Sequence, residues 1–130
     1  MESTTPSTMN RQDVGRLGEK LALKFLKKKG YHICETGFRC PSGEVDIIAR
    51  QKDCLVFVEV RTKSNLDFGS PEESITKSKE KRLIRSALSY LNTHKNLPAL
   101  WRIDVVAVEI DQKGKAKRVE LIENAIEEHE

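Results

Sequence analysis

GEVDIIARQKDCLVFVEVR, residues 43–61, decides how the rest of the chain is read. Two runs rich in Val and Ile, Gly43–Arg50 and Leu55–Arg61, flank the polar Gln51-Lys52-Asp53-Cys54, a suitable length for a hairpin turn. Side chains alternate across a strand. Glu44, Asp46, Ile48 and Arg50 therefore share one face, and Leu55, Phe57, Glu59 and Arg61 share one face of the next strand. With Lys52-Asp53 at the turn centre, Asp46 faces Glu59, Glu44 faces Arg61 and Ile48 faces Phe57. Two carboxylates opposed across a ladder repel, and the apolar neighbours Ile48, Phe57 and Val58 lower the local dielectric and sharpen the repulsion. A cation between them relieves it. Mg²⁺, which takes carboxylate oxygens and keeps several waters, is one candidate, and a Lys or Arg side chain is the other. The alternative is a structural set in which Arg61 pairs with Glu44 or Glu59 and Asp46 lies at a solvent edge.

Outward from the hairpin, residues 1–10 are Ser/Thr-rich and read as a frayed tail. A helix is expected from an N-cap at Asp13, with Val14, Leu17, Leu21 and Phe25 as its core face and Ala22 and Leu26 flanking it. Lys27-Lys28-Lys29 suits its C-terminal dipole and Gly30 stops it. Tyr31–Glu35 reads as a short strand. After the hairpin, Ser70-Pro71-Glu72-Glu73 is a capping box, and Thr76 caps a longer helix with Leu83, Ile84, Ala87, Leu88 and Leu91 as its apolar face. Ile103–Ile110 is nearly continuously apolar, as in a strand covered on both faces. Lys113-Gly114 turns the chain into a last strand, Arg118–Ile122. The order α-β-β-β-α-β-β predicts an α/β fold, a mixed sheet with helices packed on it. The boundaries expected are a tail over 1–10, one domain over 11–123 and an acidic tail over 124–130.

A chain of 130 residues has room for one core. With 38% hydrophobic and 33% charged residues it is too apolar for a disordered chain and too polar for a membrane protein. No apolar run approaches the ~20 residues that cross a bilayer. MESTTPSTMN lacks the basic and apolar regions of a secretory signal. Cys34, Cys40 and Cys54 are odd in number and contain no CxxC, which predicts reduced thiols and a cytoplasmic location. Together with His32 they match no zinc spacing. Five of the 20 acids lie in residues 119–130, so the first 118 residues hold 23 cations against 15 acids. A basic body of this kind fits a polyanion partner.

Several linked blocks resemble the YraN family of small bacterial proteins: GRLGEKLA (15–22), FRCPSGEVDIIAR (38–50), VFVEVRTKS (56–64), FGSPEESITKSKEKRL (68–83) and RIDVVAV (102–108). Within them, GEVD followed by VEVRTK resembles the split D…ExK motif of the restriction-endonuclease-like, PD-(D/E)xK, nucleases, relatives of archaeal Holliday-junction resolvases. The resemblance implies a restriction-endonuclease-like αβββαβ core and a Mg²⁺- or Mn²⁺-dependent endonuclease acting on DNA, branched or structured, without membrane association and as a possible homodimer. It makes Asp46 and Glu59 the metal ligands and Glu19 an acidic contributor from the first helix. Its lysine falls on Arg61. Arg stays protonated and stabilises negative charge without taking a proton, so Lys63 and Lys79 are the candidate substitutes.

Glu19 lies roughly 120° from the middle of its helix's apolar stripe, which suits solvent or a site at the helix edge. Gly15 and Gly18 each cost about 1 kcal/mol relative to Ala. That points to close approach of backbone or nucleic acid, or to tight helix–sheet packing. Lys77, Lys81 and Arg85 form a stripe on the second helix, with Lys79 and Arg82 towards its other side; such cations can contact successive phosphates or simply be solvated. With few aromatics to stack on bases, sequence-specific reading is not expected. The rival to the nuclease is a non-catalytic nucleic-acid-binding module that keeps the fold.

Overall fold

In the computed structural model, which describes residues 9–65, 67 and 69–127, the elements run α1 (Arg11–Lys28), β1 (His32–Cys40), β2 (Gly43–Gln51), β3 (Cys54–Lys63), a 3-10 turn (Glu72–Ser74), α2 (Lys77–Thr93), β4 (Leu100–Ile110) and β5 (Ala116–Ile126). The hairpin forms in the register its sequence predicts, with Ile47 opposite Val58 and Ile48 opposite Phe57. Lys52 in its turn takes φ 54°, the left-handed conformation that two-residue hairpin turns favour. The five strands lie in chain order; β3 and β4 are parallel and every other neighbouring pair is antiparallel. The parallel pair requires a crossover, and α2 supplies it. This is the mixed, helix-flanked sheet of the expected α/β core, with β5 added at one edge.

One apolar cluster joins Ala22 and Leu26 of α1 to Ile47, Val56, Val58, Val106 and Val108. The other joins Leu83, Ala87 and Tyr90 of α2 to Val45, Ile48, Phe57, Ile103 and Val105. Adjacent residues of β4 thus feed opposite clusters, which explains its nearly continuous apolar sequence.

Local differences from the sequence reading have identifiable causes. Asn10, not Asp13, caps α1: its Oδ1 accepts the Asp13 N–H at 2.8 Å. The fully buried positions of α1 are Gly18, Ala22 and Leu26, with Val14, Leu17, Leu21 and Phe25 half-buried, so the helix is rotated from its expected face. Gly18 is the reason. A Cβ there would sit 1.7 Å from Thr62 Oγ1 and 2.7 Å from Thr62 Cβ, so α1 lies directly on β3. On α2, Ser86 and Tyr90 join the buried face. Tyr90 packs edge-on against Phe38 and Phe57, with ring centroids 5.1 and 5.7 Å away. β1 runs five residues past the expected Glu35; its burial alternates on both sides of Gly37, where the positive φ interrupts the pattern.

β5 runs to Ile126, beyond the expected Ile122. Residues 124–126, assigned from composition to the acidic tail, are therefore strand, and Ile126 is buried. Of the frayed tail expected over 1–10, Asn10 is instead the cap of α1, and residues 1–8, like the acidic residues 128–130, lie outside the described residues. The capping box is half realised. Glu73 Oε1 accepts the Ser70 N–H at 2.8 Å, but only a 3-10 turn follows, and Thr76 caps α2 through the Lys79 N–H at 3.1 Å. No described helix is long and apolar enough to cross a membrane.

Gly18→Ala is expected to destabilise the protein by about 1–3 kcal/mol, because overpacking against a short β-branched side chain outweighs the helix propensity gained. Urea unfolding checks this; a rise in stability would mean that α1 does not sit so close.

Candidate active site

The hairpin ladder ends at Ile47 and Val58, and Asp46 and Glu59 are the next residues of the two strands. Beyond that point the Val60 N–H finds the Asp46 carboxylate, whose Oδ2 accepts it at 2.8 Å. Strict alternation also breaks here, since Val45 packs on the α2 side and Ile47 on the α1 side. Across in β1, between the pairs Thr36–Ile47 and Phe38–Val45, Gly37 takes φ 65°. A side-chain carboxylate replacing a strand acceptor, beside a glycine that allows the bend, is how the sheet brings an acid inward.

Asp46 and Glu59 lie within hydrogen-bonding reach of each other. Glu59 is only 3% exposed. Burial, and then the Asp46 charge, push its carboxyl up to about 7, against the pull of Lys79 and Arg61. Asp46 is also raised, chiefly by burial, while the Val60 N–H and Glu59 pull it down. Two acids this close disfavour each other's ionisation, so both carboxyls are held above their ordinary values.

Three cations stand by. Arg61 Nη1 lies 3.1 Å from Glu59 Oε2, its Nε donates to Ser74 Oγ at 3.0 Å, and its Nη2 donates to the Ser74 carbonyl at 3.1 Å. The guanidinium is thus locked in place by the 3-10 turn. Lys79 Nζ is 3.7 Å from the same Glu59 oxygen. Lys63 Nζ donates to the Gly69 carbonyl at 3.4 Å. The structural alternative foreseen for Arg61, a pair with Glu59, is present; Asp46 is half-buried, held by the Val60 N–H and lining the cavity beside Glu59.

One cavity of about 710 Å³ takes in Glu19, Glu44, Asp46, Glu59, Arg61, Lys63 and Lys79. Glu19 reaches it from the flank of α1. Burial raises its carboxyl, and the charges of Asp46 and Glu44 add to the effect. All five proposed catalytic residues, Glu19, Asp46, Glu59, Arg61 and Lys63, therefore line one space, and Lys79 joins them from α2. Lys77, Lys81, Arg82 and Arg85 are exposed and line no part of it.

Among the described residues no group of three or more His, Cys, Asp and Glu forms a ready-made metal cage. The donors that could hold a cation are the Asp46 and Glu59 carboxylates, with Glu19 and Glu44 nearby. That set suits a hard cation completing its shell with water and substrate oxygens. Ser74, the anchor of Arg61, carried no sequence signal beyond its place after the capping box.

Compared with known proteins, residues 18–108 match the family model of the Uncharacterised protein family UPF0102. A UPF0102 protein of Caldicellulosiruptor saccharolyticus is 44% identical over 117 residues, covering 90% of this chain and 99% of its own. One of Dehalococcoides mccartyi is 45% identical over 119 residues, covering 92% and 97%. One of Dictyoglomus thermophilum is 39% identical over 117 residues, covering 90% and 99%.

Proposed function

This chain belongs to the uncharacterised family UPF0102, the YraN family its motifs resemble, and from that premise we propose that it is a divalent-metal-dependent endonuclease hydrolysing phosphodiester bonds of branched or structured DNA. The observation that carries this reading is the convergence of a half-buried Asp46 and a buried Glu59, within hydrogen-bonding reach, where the hairpin ladder ends. Metal-free, such a pair is a stability cost. Mg²⁺ or Mn²⁺ held by the two carboxylates would offset that cost.

Asp46 and Glu59 would hold the cation, with Glu19 adding negative charge from α1. A cation held by these residues would supply a water of lowered pKa and positive charge facing the scissile phosphate. Arg61, fixed by Ser74, offsets charge on the phosphorus in the transition state and does not move a proton. Lys79, beside Glu59, takes over the orienting role that the motif's lysine has in relatives, and Lys63 lies further along the same strand. The exposed cations Lys77, Lys81, Arg82 and Arg85 would contact flanking phosphates, so affinity should fall as salt rises. Assembly as a homodimer belongs to the same resemblance.

The test is incubation of supercoiled, linear and four-way-junction DNA with the protein in Mg²⁺ or Mn²⁺ and in chelator. Cleavage only with metal is expected. Binding without cleavage would favour the non-catalytic module, a reading that the Arg61–Glu59 pair supports.

Metal binding should also depend on pH. Glu59 is raised from 4.5 to about 7, so the folded state keeps a proton that the unfolded chain releases. This contribution to stability is present below about 4.5 and is lost as pH rises to about 7. A cation must displace that proton, so its apparent affinity falls by up to about tenfold per pH unit below 7. Melting curves should show a larger Mn²⁺-induced rise at pH 8 than at pH 6. An equal rise would mean that the cation does not bind at Glu59.

A further inference from the structure

The two helix glycines of α1 serve different ends. Gly18 is filled by Thr62, as shown above. At Gly15 an added Cβ would meet nothing within 4 Å. Among the described residues no atom uses the space, although a glycine there weakens the helix relative to Ala. Gly15 instead lines the cavity of Asp46 and Glu59.

Its position along the helix gives that space a direction. Arg11, Gly15 and Glu19 are spaced i, i+4, i+8 and so form one row on α1, and all three line the same cavity. The row runs about 12 Å along the axis, at 1.5 Å per residue. It begins at Glu19, whose carboxyl is raised partly by the Asp46 and Glu44 charges, and ends at Arg11 in the first turn. There the helix dipole is positive. Negative charge thus gives way along the row to positive charge, with a residue lacking a side chain between. Lys63, Ser64 and Asn65, where β3 ends, line the cavity as well.

We infer that the nucleic-acid strand leaves the carboxylates along this row, passing over Gly15 and placing a phosphate beside Arg11 at the start of α1. The inference rests on the nuclease reading and extends it: α1 is one wall of the substrate channel, and Gly15 keeps that wall open. At about 3.4 Å per nucleotide of rise, the row accommodates roughly three nucleotides of a strand. Phosphate is favoured at a helix N-terminus with an adjacent arginine because backbone N–H groups and guanidinium donate to the same oxygens.

Gly15→Ala, Gly15→Leu and Arg11→Gln, beside wild type, are the test. Three quantities are read: melting temperature, its rise with Mn²⁺, and affinity for a fluorescently labelled DNA four-way junction. Gly15→Ala is expected to melt higher than wild type, because Ala is the better helix former and its methyl group is unopposed. All three variants should keep the Mn²⁺ response. Gly15→Leu should lose at least about tenfold in DNA affinity, Gly15→Ala less, and Arg11→Gln should have a shallower salt dependence than wild type. If Gly15→Leu binds the junction as wild type does while the Mn²⁺ response persists, this path is wrong and the metal site stands. If wild type neither responds to Mn²⁺ nor binds the junction, the nuclease reading fails and this inference with it.

Discussion

Asp46→Asn is expected to reduce DNA cleavage by at least about 10³-fold, while raising the melting temperature of the metal-free protein. Both effects follow from one geometry. The carboxylate supplies charge that a divalent cation needs, and removing electrostatic stabilisation at a reacting phosphate costs several kcal/mol of transition-state energy. Without metal the same half-buried carboxylate is a burden, because its charge stands beside the buried Glu59. An Asn side chain can still accept the Val60 N–H through its oxygen, and its amide can donate to the Glu59 carboxylate instead of repelling it. Glu59→Gln should likewise abolish cleavage. Cleavage surviving in both variants would place the chemistry elsewhere, and a lower melting temperature for Asp46→Asn would mean that the pair does not repel.

The second large effect is structural. Asp104 is 0% exposed on β4. It is held by Arg102 Nε at 2.9 and 3.1 Å and by the Asn124 N–H at 2.8 Å. Arg102 in turn donates to the Tyr31 hydroxyl at 3.0 Å, tying β4 to the residue that precedes β1. Arg102→Met keeps the bulk but leaves a buried carboxylate without its cation, which costs about 3–5 kcal/mol. Burial already raises Asp104 even with Arg102 present, and losing the guanidinium raises it further. A raised carboxyl favours the fold where it is protonated, so the variant's deficit should shrink as pH falls towards 5 and grow towards 8. Denaturant titration at the two pH values checks this; a pH-independent deficit would assign the loss to packing rather than charge.

The hairpin was legible because its two apolar runs flank a four-residue turn that fixes the register; counting from that turn brought Asp46 and Glu59 together, although the ladder itself stops one pair short, at Ile47 and Val58. The parallel β4 was legible because a strand covered on both faces needs apolar residues throughout. β1 was cut short because edge strands carry no such pattern and Gly37 interrupts it. The face of α1 was misjudged for a different reason: Gly18, invisible to a hydrophobic count, is the closest point of contact with β3. The break in alternation at Asp46 was equally hidden, since it depends on where β2 and β3 stop pairing. Ser74 was missed because its role arises only when the 3-10 turn folds against Arg61. The basic stripe on α2 was correctly read as helical and exposed, but only Lys79 enters the cavity, and spacing alone does not distinguish it from Lys77 or Lys81.

The claim on which the account turns is that Asp46 and Glu59 hold one divalent cation between them. Calorimetric titration of metal-free wild type with Mn²⁺ at pH 8, repeated with Asp46→Asn, tests it without reference to any nucleic acid. The account predicts a saturable signal with one ion per chain in wild type, weakened at least about tenfold in the variant. A wild-type protein that takes up no Mn²⁺ at millimolar concentration, or a variant that binds it equally well, would contradict it.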